Sequence, residues 1–193
     1  MKTNLKLPAM ARFRRAAIAG AVIGLALACL PASKLMVTEA GSKVGKLPKD
    51  SVAQRQLRLM DGSQFSLAGA RGRVVVLSFF AVWCGHSRDQ IPPLTKLSEA
   101  ESGRGLQVVG LAVEDAQTTT DRINNFIKDQ KINFPVGVVS DPVFAGYIES
   151  RVVDVPQTLV YGRDGRLAAH YIGQSAANDA ALADVVKREL DKK

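Results

Sequence analysis

Cysteine is scarce in this chain of 193 residues: Cys29 and Cys84 are the only two. Two cysteines exclude a framework of internal disulfides, and a chain cut after Cys29 would keep one thiol and no internal disulfide at all. Histidine is equally sparse, and Cys84, His86 and the distant His170 do not complete a tetrahedral metal set. No metal and no cofactor is expected. Internal repeats and low-complexity tracts are absent. So is any basic block interleaved with aromatics, although the formal net charge is +8. Residues 1–15 hold five basic residues and no acidic one (Lys2, Lys6, Arg12, Arg14, Arg15), and beyond them 21 basic residues face 18 acidic ones. A scattered net charge of +3 argues against a nucleic-acid partner.

What the chain does have begins with a leader. After the basic stretch, Ala16–Leu30 is a run of fifteen residues without a charge, followed by Pro31-Ala32-Ser33. A positive start, an apolar run short for a membrane span and small residues after it read as a secretory signal over residues 1–33. Ala26-Leu27-Ala28 offers a small-x-small cleavage site before Cys29. An uncleaved anchor through residues 16–30, which would tether the protein to a membrane, is the other reading. Lipidation at Cys29 is a third, set against a plain small apolar residue in that stretch. Residues 34–50 mix Lys, Gly, Ser and Pro without periodicity and read as a linker. Apolar content of 47% and 23% charged residues suit a single packed domain over 51–193.

Within that domain, Gln56–Met60 and Gln64–Leu67 flank Asp61-Gly62 and predict a β-hairpin. The apolar run within Arg73–Ala81 predicts a central strand buried on both faces. A helix is expected just after Cys84, running toward Glu101 with a bend at Pro92-Pro93. Leu106–Val113 reads as a second buried strand. Thr118–Lys131 reads as a helix with Thr118–Thr120 as cap candidates and Ile123, Phe126 and Ile127 inward. A short strand over Phe134–Val139 and a short helix over Val143–Ser150 come next. Thr158–Tyr161 and Leu167–Ile172, joined by Arg163-Asp164-Gly165, predict a second hairpin. A last helix over Ala177–Leu190 turns Leu182, Val185, Val186 and Leu190 inward. The order predicts an α/β fold with a mixed central sheet flanked by helices and an added N-terminal hairpin.

Trp83-Cys84-Gly85-His86-Ser87 sits at the predicted strand-to-helix junction. Unpaired N–H groups and the dipole at a helix start favour an anion, and the thiolate is the form that attacks disulfides. Val74–Arg88 resembles the junction of thioredoxin-like proteins with its Trp-Cys-x-x-Cys signature. Arg88-Asp89-Gln90-Ile91-Pro92 is similar to the continuation found in TlpA- and ResA-type periplasmic thiol-disulfide oxidoreductases. Val155-Pro156-Gln157-Thr158 resembles their loop with a cis proline facing the active cysteine. The likeness covers roughly residues 50–190.

The resemblance implies a thioredoxin-like redoxin domain outside the cytoplasm, in the periplasm or cell envelope, acting on protein or small-molecule thiols and disulfides. It makes Cys84 the nucleophile, with His86 favouring the thiolate and Trp83 shielding the sulfur. Val155, Pro156 and Gly85 become candidate substrate contacts. The departures restrict the chemistry. Ser87 stands where the family has its second, resolving cysteine, and a hydroxyl forms no disulfide. Gln90 stands where the family usually has glutamate, and Ser78 where related proteins hold aspartate or asparagine. The expected function is oxidoreductase or isomerase-like exchange through one cysteine, with an outside thiol completing the cycle. Two alternatives stand beside it: a non-catalytic binding module of the same fold, and a one-cysteine peroxidase, which Phe79–Trp83 argue against because they lack proline and threonine. Glu114-Asp115 follows the second strand at the end of the sheet that bears Cys84, which allows a role near the site, and a solvated acidic loop is the favoured reading.

Overall fold

A computed structural model describes residues 44–114, 118–149 and 153–192. The leader, Cys29, residues 34–43 of the expected linker and Asp115 lie outside the described residues. Among the described residues no helix is long and apolar enough to cross a membrane. The chain enters along the last strand: Gly45 N–H donates to the Leu167 carbonyl at 2.7 Å, and Leu167 N–H donates to that of Lys46 at 2.9 Å. A single turn of helix, α1 (Asp50–Ala53), leads into the hairpin β1 (Leu57–Arg58) and β2 (Gln64–Phe65).

The hairpin is shorter than its sequence suggested. Asp61 accepts from both the N–H and the hydroxyl of Ser63, which closes the turn early. Gly62 takes a φ of 86° there, a conformation that suits glycine. Leu59 N–H still donates across the hairpin to the Ser63 carbonyl at 2.9 Å, but Leu59 also bridges Gly137 of the main sheet, and Met60 N–H donates to the Val136 carbonyl. The residues expected to lengthen β1 join the larger sheet.

That sheet has five strands in the order β5 (Val136–Val139), β4 (Leu106–Val113), β3 (Val74–Phe80), β6 (Gln157–Tyr161) and β7 (Leu167–Ile172). The β3–β4 and β4–β5 pairs are parallel, and β3–β6 and β6–β7 are antiparallel, so the sheet is mixed as the pattern implied. No residue of β3 is more than 2% exposed. Its alternation divides two cores. Val74, Val76 and Phe80 pack against α2 (Gly85–Glu101), α3 (Thr120–Asp129) and α5 (Ala176–Asp191), with Ile91, Leu94, Ile123, Phe126, Val185 and Val186. Val75, Leu77 and Phe79 face the hairpin and α4 (Asp141–Ile148), with Phe65, Phe144, Tyr147 and Ile148. Each such aliphatic or aromatic side chain contributes about 1.5–3 kcal/mol by leaving water. Gly110 of β4 has room for no side chain: a Cβ there would lie 3.0 Å from both Phe80 and Phe134.

The helices keep most of their expected bounds. Thr119 caps α3 by accepting from Arg122 N–H. Both prolines lie inside α2 without ending it. Helix α4 starts two residues earlier than expected, because Ser140 takes the extended cap conformation and Pro142 suits a first turn that needs no N–H donor.

Candidate active site around Cys84

The site stands where β3 gives way to α2. Cys84 is the N-cap residue of α2, extended at φ −90° and ψ 120°, and half-buried. Four hydrogen bonds fix the turn that delivers it. Cys84 N–H donates to the Ala81 carbonyl at 3.1 Å. Ala81 N–H donates to Ser87 Oγ at 3.3 Å, and Val82 N–H to Glu114 Oε1 at 3.0 Å. Arg88 Nη2 donates to the Val82 carbonyl at 3.3 Å, with its guanidinium 5.2 Å from the centre of the Phe126 ring. Buried backbone groups need such partners, and here side chains from α2 and the end of β4 supply them. Glu114 is therefore no solvated loop residue, contrary to the favoured sequence reading, and the other reading, a place near the site, fits: its carboxylate reaches back into the turn.

Across from the sulfur lies the loop before β6. The Val155–Pro156 peptide is cis, and the Cys84 thiol donates to the Val155 carbonyl at 3.4 Å. The structure thus brings together two motifs that are seventy-one residues apart in sequence. Trp83 is 56% exposed beside them, and Gly85 and His86 are exposed on the first turn of α2. Ser87 is 0% exposed. Its hydroxyl is occupied in holding Ala81, one turn along the helix from Cys84. A groove of about 670 Å³ opens between Trp83 and Val155, walled by Val113, Phe144 and Val153 with Glu114 and Asp154 among its polar edges.

Between α2 and the sheet runs a buried polar chain with no ionisable member. The Ser78 hydroxyl donates to Gln90 Oε1 at 2.9 Å, and Gln90 Nε2 donates to Thr158 Oγ1 at 2.9 Å. Ser78 and Thr158 are partners in the β3–β6 register, so one amide from α2 spans both strands. A second chain lies on the other face of β6. Gln157 Nε2 donates to the Asp154 carbonyl at 2.8 Å, and Gln157 Oε1 lies 2.7 Å from His170 Nε2. Burial holds the His170 imidazole below its ordinary pKa.

Sequence reasoning placed Trp83, Cys84, His86, Ser87, Val155 and Pro156 around one point, but it missed the part played by Gln157, Thr158 and His170. The signal for Gln157 was its position immediately after Pro156. For His170 it was a histidine in an otherwise apolar strand, and neither signal named a partner.

Comparison with known proteins agrees with this architecture. "Thiol-disulfide oxidoreductase ResA" of Bacillus cereus is 24% identical over 115 residues, covering 60% of this chain and 64% of that protein. The chain thus spans somewhat less than two thirds of the length of that relative. "Thioredoxin-like protein YneN" of Bacillus subtilis is 23% identical over 159 residues, covering 82% of this chain and 85% of its own. Among solved structures, a putative thiol:disulfide interchange protein DsbE from Chlorobium tepidum superposes with a TM-score of 0.64 at 24% identity, over 78% of this chain and 99% of that one. A putative protein disulfide isomerase from Bacteroides thetaiotaomicron gives 0.68 at 22%, over 78% and 91%. These likenesses show a thioredoxin-like fold. The profile of the AhpC/TSA family matches residues 48–170, more than half of the chain and the whole span from α1 to β7's His170, so this protein belongs to the AhpC/TSA family.

Proposed function

We propose that this protein is a thiol-disulfide oxidoreductase of the cell envelope that works through a single nucleophile, Cys84. The observation that carries the reading is the placement of a half-buried thiol at the start of α2, 3.4 Å from the Val155 carbonyl. The helix start favours the thiolate, and the loop at Val155–Pro156 and the groove beside Trp83 offer a polypeptide somewhere to lie. The names of relatives such as ResA support the reaction class. The leader expected over residues 1–33 supports an extracytoplasmic site of action. So does the likeness to a secreted Mycobacterium tuberculosis disulfide oxidoreductase, with a TM-score of 0.58.

The chemistry balances with one cysteine and an external thiol. The Cys84 thiolate attacks one sulfur of a substrate disulfide, forming a mixed disulfide and releasing the other sulfur as a thiolate. A second thiolate, from the substrate itself or a small thiol, then attacks the substrate sulfur of that mixed disulfide and returns Cys84 as thiolate. Attack from within the substrate rearranges its disulfides with no net change of oxidation state. Attack by an outside thiol leaves the substrate sulfur in a mixed disulfide with that thiol, and a second equivalent then frees the substrate thiol and departs as the outside thiol's own disulfide, which completes the reduction. His86 contributes its donor-bearing ring on the first turn, Trp83 covers one side of the sulfur, and Gly85 leaves the approach open. Ser87 takes no part in sulfur chemistry, so the mixed disulfide persists until another thiol arrives.

Incubation with a peptide disulfide or oxidised glutathione, read by non-reducing electrophoresis and mass spectrometry, tests the reading. A 1:1 adduct on Cys84 is expected, accumulating in wild type and absent from Cys84→Ala. A folded wild-type protein that forms no adduct with either reagent would defeat it.

A further inference from the structure

We propose that His170 is a positioning residue: through Gln157 it fixes the Asp154–Pro156 backbone that confronts Cys84. The structural half of this inference stands on hydrogen-bond geometry, and its kinetic consequence rests on the exchange reaction proposed above.

The Gln157 side chain is 0% exposed and follows Pro156 directly. Its amide has a donor end and an acceptor end, and each is spoken for. Nε2 donates to the Asp154 carbonyl at 2.8 Å, which leaves Oε1 facing His170 Nε2 at 2.7 Å. Two acceptors do not bond, so the ring nitrogen must be the donor and the imidazole must carry its proton on Nε2. Turning the amide over would set Oε1 against the Asp154 carbonyl and leave two buried acceptors face to face. The orientation of Gln157, and through it the Asp154 carbonyl, thus depends on a donor at position 170.

Strand β7 supplies that donor from a rigid place. His170 pairs in register with Leu159, inside the β6–β7 ladder. The same strand holds the loop a second time, because Gly173 N–H donates to the Pro156 carbonyl at 2.8 Å. Between these two attachments lies Val155, whose carbonyl accepts from the Cys84 thiol. Loss of the donor at 170 frees the Gln157 amide and releases one of the two attachments. A peptide disulfide has to seat against this loop before its sulfur reaches Cys84. A small alkylating reagent does not. The expected signature is therefore a selective loss of peptide exchange.

The experiment compares wild type with His170→Leu, which removes the donor, and His170→Gln, whose amide nitrogen restores one at similar reach. In wild type, nitrogen-15 NMR of the ring is expected to show the neutral Nε2–H tautomer at pH 8. In His170→Leu, hydrogen exchange at the Gly173 amide is expected to quicken, and adduct formation with a peptide disulfide to slow by about tenfold. Alkylation of Cys84 by iodoacetamide should stay within about twofold of wild type, and His170→Gln should recover most of the lost exchange rate. A ring protonated on Nδ1 in wild type overturns the proposal. So does His170→Leu with unchanged Gly173 protection and unchanged peptide exchange, or with peptide exchange and alkylation slowed equally. If wild type forms no adduct, the exchange reading falls, while the tautomer and the Gly173 amide still decide the positioning. If His170→Leu does not fold, the wild-type tautomer and the His170→Gln exchange rate decide it.

Discussion

Two glutamine chains meet β6 at consecutive residues, Gln157 and Thr158, on opposite faces of the sheet, and they do so with different chemistry. Gln90 reaches from α2 to Thr158 and Ser78, so its chain ends in hydroxyls at both sides. Gln157 reaches from β6 itself to a loop carbonyl and to His170, so its chain ends in an imidazole. The first network lies beneath the helix that carries Cys84, among Ile91, Leu94 and Val160, all fully buried. The second holds the loop that faces the sulfur. The Gln90 network is therefore built from apolar packing and hydrogen bonds between amide and hydroxyl groups, none of which titrates between about pH 5 and 9. The substrate's side is built from hydrogen bonds whose donor titrates in water near neutrality. One network is insulated from pH and the other is not.

The sharpest way to break the first half is to give it back a second thiol. Ser87→Cys places a sulfur one turn along α2 from Cys84, where it can attack a mixed disulfide from within the molecule. Neighbouring groups held in place react at effective concentrations far above those of a thiol in solution, so the adduct's lifetime is expected to fall by about a hundredfold or more. The same gel that captures adducts on wild type would show monomer with an internal disulfide in the variant. An adduct as long-lived as that of wild type would mean that position 87 is held away from the sulfur chemistry altogether. The next effect is on stability. Gln90→Leu strips the buried hydroxyls of Ser78 and Thr158 of this partner, and leaving such groups unmade costs about 1–3 kcal/mol. Urea denaturation measures it, and a loss below the experimental error would show that the amide bridge is dispensable to the fold.

How much of this was legible in the sequence follows the same division. The nucleophile's half was readable because it is local: the apolar run of β3, the Trp83-Cys84 junction and the helix period of α2 lie within one stretch of chain. Strands β4 and β7 fall where their apolar runs begin and end. The hairpin was overextended because Met60 gives its N–H to Val136 of β5, seventy-odd positions away, and no local pattern records such a choice. The place of Glu114 near the site ranked below a solvated loop for the same reason, since the N–H it accepts from belongs to Val82. Pro156 could be placed opposite Cys84 only because the motif around it resembled a known loop. The polar chains were invisible. Each joins residues from different elements, and glutamine, serine and threonine are common enough that their presence alone signals nothing.

The smallest predicted effect separates the two halves by pH. Burial lowers the His170 pKa in the folded protein, so as the pH falls through about 6.5 the unfolded chain takes up a proton that the folded one still refuses. The unfolded state then binds more protons, and stability rises with pH across that window. It falls as the pH drops toward the folded pKa and becomes flat, for this group, once below it. Other titrating groups contribute equally to wild type and to His170→Gln, so the difference between their unfolding free energies isolates the imidazole. Wild type is expected to lose stability relative to His170→Gln between pH 8 and pH 5.5, as measured by urea denaturation at several pH values. Gln90→Leu, which removes no titrating group, is expected to run parallel to wild type over the same range. Parallel curves for wild type and His170→Gln would mean that the imidazole meets the same surroundings folded and unfolded. In that case the network that holds the loop would be as indifferent to pH as the one that Gln90 builds beneath α2.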